Sequence, residues 1–204
     1  MAEEINACGQ DGAEEPKLPG ADLFDWLQMV MGCILAAVLL FNCFARLTQV
    51  DGESMTNTLQ DGEMMLVWSL GYHPKAGDIV VVNKKTATFL DDRAIVKRVI
   101  AVGGQTVDID YQTGAVYVDG ELLEEDYINE PTYVEEGTEF PLTVPEGSIF
   151  VMGDNRNGSS DSRDYRLGTV DTRYVIGKAA FLIFPGPDYE TEKRDFKRIG
   201  VIWS

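Results

Sequence analysis

The chain has 204 residues with 17 Lys+Arg against 34 Asp+Glu, and its formal charge of −17 opposes nonspecific attachment to nucleic acid. A composition of 45% hydrophobic and 25% charged residues is globular, which excludes wholesale disorder, and the length suffices for one domain with a sizeable core or two small ones. Cysteines stop at Cys43 and His73 is the only histidine, so the later chain has no disulfide, thiolate metal site or cysteine nucleophile, and a Ser-His-Asp triad or multi-histidine zinc site would rest on His73 alone.

In chain order, residues 1–22 hold Glu3, Glu4, Glu14, Glu15, Pro16, Pro19 and Gly20 with few large apolar groups, which predicts a disordered acidic tail. The 19 residues from Leu27 to Ala45 have only Gln28 and Asn42 as polar members. At about 1.5 Å per residue this run nearly crosses a bilayer core of about 30 Å, so a transmembrane anchor over 23–46 is the leading reading. A buried core helix and a cleavable signal peptide, with Cys43-Phe44-Ala45 as a weak cleavage match, compete with it. Lys17 and Arg46 leave the positive-inside comparison nearly tied, so charge alone gives no orientation.

From residue 47 onward the pattern becomes short Val- and Ile-rich runs separated by Gly, Asp and Pro. They fall at Met64–Trp68, Ile79–Val82, Ile95–Val102, Thr106–Asp110, Ala115–Val118, Ser148–Met152 and Val175–Phe184, a spacing that predicts antiparallel β-structure. Asp119-Gly120 carries a hairpin signal, and Gly71-Tyr72-His73-Pro74 reads as an exposed turn, so a hydrolase here needs a base other than histidine. The stretch Glu121–Glu139, with eight acids and no base, reads as a solvated excursion.

Three clusters exceed what strand-building requires. The first is Gly52-Glu53-Ser54-Met55-Thr56-Asn57-Thr58-Leu59, between the apolar run and the first predicted strand. The second is Ala94-Ile95-Val96-Lys97-Arg98-Val99-Ile100, where two cations interrupt a strand. Neighbours on a strand face opposite ways, so if Arg98 is in water Lys97 points inward, where desolvation would make it a usable general base; the competing reading is a lysine that snorkels at a sheet edge. The third runs from Val151 to Arg163, a loop of small polar residues with Asp154, Arg156, Asp161 and Arg163, readable as a plain turn or as a charge-paired loop that orders a site. Asn157-Gly158-Ser159 matches a glycosylation sequon, read here as a turn signal.

Together, in order and behind an apolar run, these clusters resemble the type I signal peptidases, Ser/Lys endopeptidases of family S26, and most closely their Gram-positive-type members. Ser54-Met55 with Thr58-Leu59 resembles the nucleophile box, Lys97-Arg98-Val99-Ile100 the general-base box, and Gly153-Asp154-Asn155-Arg156 through Asp161-Ser162-Arg163 the most diagnostic stretch. Asn57 stands where the family usually has proline, and Gly52 where some members carry an oxyanion-binding serine.

The resemblance implies a mainly β, antiparallel signal-peptidase-like catalytic domain over 47–204, preceded by one transmembrane helix. The tail would be cytoplasmic and the domain extracytoplasmic. It implies Ser54 as nucleophile, Lys97 as base, Ser159 as the serine that orients the lysine, and an oxyanion hole beside Gly52 built on backbone N–H groups, chiefly that of Ser54. Asp154, Asn155, Arg156, Asp161 and Arg163 would support the site. Secretory preproteins would add a β-strand along Asp51-Gly52-Glu53 and Ala94-Ile95-Val96, with Val50, Met55, Leu59 and Val96 lining shallow pockets for an Ala-x-Ala end. The lipid bilayer is the other expected partner; no metal, cofactor, nucleic acid or obligate protein partner is expected. Two alternatives stand beside this: a catalytically reduced assembly factor, and a self-cleaving Ser/Lys regulator, which would need a DNA-binding helix-turn-helix.

Overall fold

The computed structural model describes residues 21–84, 87, 93–187 and 193–202. The predicted tail lies outside these, except that Ala21 and Asp22 already belong to a helix. Helix α1 spans Ala21–Phe44, and its stretch Asp22–Leu39 is long and apolar enough to cross a membrane. Leu23, Phe24, Leu27, Met31 and Leu35 are all exposed, which argues against a buried core helix. The helix closes sooner than the apolar pattern predicts: Ala45 and Arg46 open strand β1, Ala45–Gln49, and pair with Trp68 and Val67.

The chain divides into two compact units, one up to Leu40 and one from Phe41 onward. Every strand pairing in the second is antiparallel among the described residues. Seven strands fall on the predicted spans: β2 Met64–Trp68, β3 Ile79–Val82, β4 Ile95–Val102, β5 Thr106–Asp110, β6 Ala115–Val118, β9 Ser148–Met152 and β11 Val175–Phe184. Two-residue strands join them at β7 Glu121–Leu122, β8 Leu142–Thr143, β10 Val170–Asp171 and β12 Gly200–Val201. The larger sheet runs β1-β2-β11-β3-β4-β9-β10 with β12 on β11, and the smaller runs β7-β6-β5-β8.

Buried Ile100, Ala101, Phe150 and Met152 from the large sheet form one core cluster with Val107, Ile109 and Val116 from the small one. The small sheet begins from the predicted hairpin: Val118 pairs with Glu121 across Asp119 and Gly120, both at positive φ (54° and 82°), as a two-residue primed turn requires. Strand β4 is central, paired with β3 along Ile95–Arg98 and with β9 only from Arg98 onward. The other edge of Ile95–Lys97 therefore carries no strand among the described residues.

Two expectations change. Glu121–Glu139 is not simply solvated: Thr132 is fully buried, and Tyr133 N and Val134 N donate to Asn157 Oδ1 at 2.9 and 3.1 Å. The stretch straps the loop that follows β9, which is why its acids survive in a folded segment. Arg98 is likewise not in water. It is 2% exposed, and Lys97 on the opposite face is 3% exposed, so both sides of β4 are covered.

Candidate active site

The turn bearing Ser54 is closed at its base by Val50 N to Glu63 O (2.8 Å) and Gly62 N to Val50 O (3.0 Å). Met55 and Leu59, one helical turn apart, are buried and joined by Leu59 N to Met55 O at 2.8 Å, so the apolar pair anchors the turn and leaves Ser54 half-buried at its rim. Gly52 sits at φ +93°, and its N–H donates to Asp61 Oδ1 at 2.7 Å. Asn57, at φ +29°, holds a left-handed conformation that proline cannot adopt, which accounts for asparagine at that position. Arg198 pins the far side, donating to buried Glu63 at 2.7 Å and to Thr58 O at 3.1 Å.

Lys97 reaches across from β4, its Nζ donating to Ser54 Oγ at 2.6 Å. Burial strips water from the amine and pushes its pKa down to about 8; Asp161, Glu136 and Asp154 pull it back up, while Arg163 assists the lowering. Such a lysine has an accessible neutral state, in which it can accept the serine proton.

The loop after β9 holds this pair from behind. Asn155 N donates to Ser54 O at 3.0 Å and its Nδ2 to Glu53 O at 3.2 Å, fixing the backbone on both sides of the Glu53–Ser54 link. Gly153 packs so tightly that a Cβ there would collide with Ser54 O and the Ser159 side chain, so only glycine fits; the sequence reading missed this, although a lone Gly at the end of an apolar strand is the available signal. Asp154 accepts from Arg98 Nε and Nη2 at 2.8 and 2.7 Å and from Thr58 Oγ1 at 2.5 Å. Arg98 also donates to Gly77 O at 2.9 Å and lies 3.9 Å over the Tyr127 ring.

Arg156 is buried and paired with Glu125 of the strap. Asp161 and Arg163, both fully buried, form a pair at 2.8 Å, and Asp161 also accepts from Gly153 N at 2.9 Å. Ser159 gives its single hydroxyl proton to Asp161 Oδ2 at 2.9 Å and so braces Asp161, and the lone pairs of its oxygen remain available to accept from an amine.

Among the residues expected to contact substrate, Val50, Met55, Leu59 and Val96 belong to one buried core cluster. All four are buried, and of them Leu59 also lines an open cleft with Thr58, Leu182 and Arg198. Asp51 and Ala94 are exposed and Ile95 is half-buried, and Asp51 meets Arg93 at 3.6 Å. His73 lies in its exposed turn, with Nδ1 3.1 Å from Gly71 O. Among the described residues no group of three His, Cys, Asp or Glu side chains is arranged to hold a metal ion.

A serine hydroxyl thus lies on a buried amine at the rim of an antiparallel sheet. Comparison with known families narrows this. Residues 23–184 match the family model described as signal peptidase, peptidase S26, and the chain belongs to that family of serine peptidases, whose reaction is signal-peptide cleavage. It is 36% identical over 166 residues to a probable signal peptidase I-1 of Synechocystis sp. (strain ATCC 27184 / PCC 6803 / Kazusa), covering 78% of this chain and 81% of that one. It is 34% identical to signal peptidase I of Bacillus licheniformis, covering 80% and 89%. The crystal structure of a signal peptidase I from Enterococcus faecalis V583 matches with a TM-score of 0.42 at 32% identity, over 52% of this chain and 97% of that one.

Proposed function

We propose that this protein cleaves N-terminal signal peptides from exported preproteins after small-x-small ends, with Ser54 as nucleophile and Lys97 as general base. The observation that carries the reading is the 2.6 Å contact between Ser54 Oγ and a 3%-exposed lysine amine. Neutral Lys97 takes the Ser54 proton as Oγ attacks the scissile carbonyl. The same amine returns that proton to the leaving amine, and water then cleaves the acyl-enzyme by the reverse path. The oxyanion falls to the Ser54 N–H, which has no acceptor among the described residues; the Gly52 N–H is held by Asp61.

The edge of Ile95–Lys97 that carries no strand includes Lys97 itself and suits an extended substrate segment added as a strand. Val50, Met55, Leu59 and Val96 pack closely on one another, which leaves room beside them only for small side chains and supports an Ala-x-Ala preference. Residues 47–204 form the peptidase domain, held by α1 at the outer face of the membrane with the tail inside. Exposed Leu47, Trp68, Leu70, Phe181 and Val201, on and beside the strands that continue from α1, fit contact with a lipid surface. The chemistry calls for no metal or organic cofactor.

The test is to incubate the detergent-solubilised full chain and its Ser54→Ala variant with a preprotein bearing an Ala-x-Ala end, then to sequence the new N-terminus. Cleavage after the second alanine by the parent alone is expected. Equal cleavage by Ser54→Ala would refute the assignment.

A further inference from the structure

A hollow of about 510 Å³ that shares no lining residue with the reacting pair opens where α1 gives way to the sheet. Arg46, Ser69, Asn83 and Arg173 line it beside Val175 and Ile176. Two backbone bonds tie its walls together, from Ser69 N to Phe44 O at 3.1 Å and from Asn83 N to Tyr174 O at 2.9 Å. The polar groups here are left over. The exposed side chain of Arg46 has no ion pair or hydrogen bond among the described residues. Arg173 gives Nε and Nη2 to Asp171, at 2.9 and 2.7 Å, and keeps its Nη1 free. Three buried side-chain polar atoms lack a partner among the described residues, and two of them, Ser69 Oγ and Asn83 Oδ1, belong to residues that line this one hollow. Unpaired buried polar atoms are costly, so their clustering marks a place where a ligand supplies both an acceptor and a donor.

Two guanidinium groups and a hydroxyl donor suit a phosphate. Asn83 Oδ1 needs a donor, and beside two arginines a neutral hydroxyl fits where an ammonium would be repelled. The place in the chain says where such a phosphate comes from. The 24 residues of α1 measure about 36 Å, a few Å more than a hydrocarbon core of about 30 Å, and Arg46 follows the last of them by two positions. Ser69 stands between Trp68 and Leu70, both exposed and apolar. We infer that this hollow binds the headgroup of an anionic phospholipid that carries hydroxyls, with the phosphate held by Arg46, Arg173 Nη1 and Ser69 Oγ and a headgroup hydroxyl given to Asn83 Oδ1. The inference rests on the reading of α1 as a membrane anchor. Free phosphate shares the anionic half of this chemistry but has no acyl chains to lay against Trp68 and Leu70.

The experiment titrates the full chain, in one nonionic detergent, with phosphatidylglycerol, phosphatidylethanol, phosphatidylcholine or inorganic phosphate, and counts the bound molecules by native mass spectrometry. Phosphatidylglycerol offers the charge and the hydroxyls, phosphatidylethanol the charge alone, and phosphatidylcholine neither. Phosphatidylglycerol should bind about fivefold or more tightly than phosphatidylcholine, with phosphatidylethanol between them. Arg46→Gln should weaken phosphatidylglycerol by about fivefold, and Asn83→Ala should erase its advantage over phosphatidylethanol. Lys197→Gln, which removes an exposed cation outside the hollow, should follow the parent. Should Arg46→Gln fold poorly, Arg173→Gln, at a side chain 84% exposed, should give the same loss. Equal binding of phosphatidylglycerol and phosphatidylcholine, or an equal loss in Lys197→Gln and Arg46→Gln, overturns the inference. Equal binding of phosphatidylglycerol and phosphatidylethanol by the parent overturns the headgroup assigned. Displacement of phosphatidylglycerol by an equal concentration of inorganic phosphate makes this a free-phosphate site and overturns the lipid. The anchor reading is checked apart from all of these, by flotation of the full chain with pure phosphatidylcholine vesicles; a chain that stays behind loses that reading and the inference with it.

Discussion

Replacing Lys97 by methionine should produce a protein that is inactive and more stable. The amine is displaced from 10.5 to about 8 chiefly by burial, so at pH 7 the charged lysine is worse off in the fold than in the unfolded chain by about 3 kcal/mol. Methionine keeps the length and removes the charge, so Lys97→Met should melt higher at pH 7 by on the order of 10 °C for a domain of this size. The pH dependence fixes the sign. Between about 8 and 10.5 the unfolded chain binds more protons at this position than the fold does, so the parent gains stability as pH rises through that window. Lys97→Met lacks that gain, and the gap between the two proteins should close toward pH 10. Differential scanning fluorimetry of both full chains in one detergent, from pH 6 to 10, measures this, with preprotein cleavage recorded in parallel. If Lys97→Met melts at or below the parent at pH 7, or the gap is independent of pH, then Lys97 carries no desolvation cost and its activation as a base has no physical source.

Three further outcomes follow from the supports of the site. Asp154→Ala leaves the buried Arg98 guanidinium without its carboxylate and frees Thr58; it should cost about 3 kcal/mol or more and lower melting and cleavage together, and a kinetic loss without a melting change would place Asp154 in contact with substrate instead. Gly52→Ser puts a side chain at φ +93° in open space, so strain of about 1 kcal/mol should leave kcat/KM within about tenfold, while Gly52→Val should lose more by also blocking the edge; equal tolerance of both would remove Gly52 from the border of the scissile bond. Asn57→Pro demands a φ near −65° where the backbone has +29°, so it should lower melting and activity whereas Asn57→Gly keeps both, and a fully active Asn57→Pro would contradict this turn.

Strands with a dense apolar pattern were legible to the residue because alternation and Gly, Asp and Pro punctuation act locally. β1 was not: Ala45-Arg46-Leu47-Thr48-Gln49 follows directly on an apolar run, has no strand pattern of its own, and becomes a strand only through its pairing with β2. The two-residue strands carry too little pattern to register. At the site, Ser54 and Lys97 were readable from motif order, though not their contact across 43 positions of chain. The burial of Arg98 was misread because alternation alone places one face of a strand in water, and it took Tyr127 and the strap to cover that face. The bond from Ser159 to Asp161 was not legible either, because the acceptor of a hydroxyl is set by local geometry.

Strand β4 explains why the two cations stand side by side. Lys97 and Arg98 project to opposite faces, yet both are tied to the turn that carries Ser54, Arg98 through Asp154. Lys97 meets Ser54 directly, while Arg98 holds Asp154, whose carboxylate takes the hydroxyl of Thr58 four residues further along the same turn. A single strand thus fixes the turn at two points, and the pairing of Val80 with Lys97 and Ile79 with Arg98 sets both at once. A slip of one residue would exchange the two faces, leaving a guanidinium that cannot lose its proton beside Ser54 and a lone ammonium facing Asp154. The rigid bidentate pair at Arg98 therefore does more than stabilise the loop: it penalises the wrong register, and in doing so keeps the one cation able to become neutral against the serine.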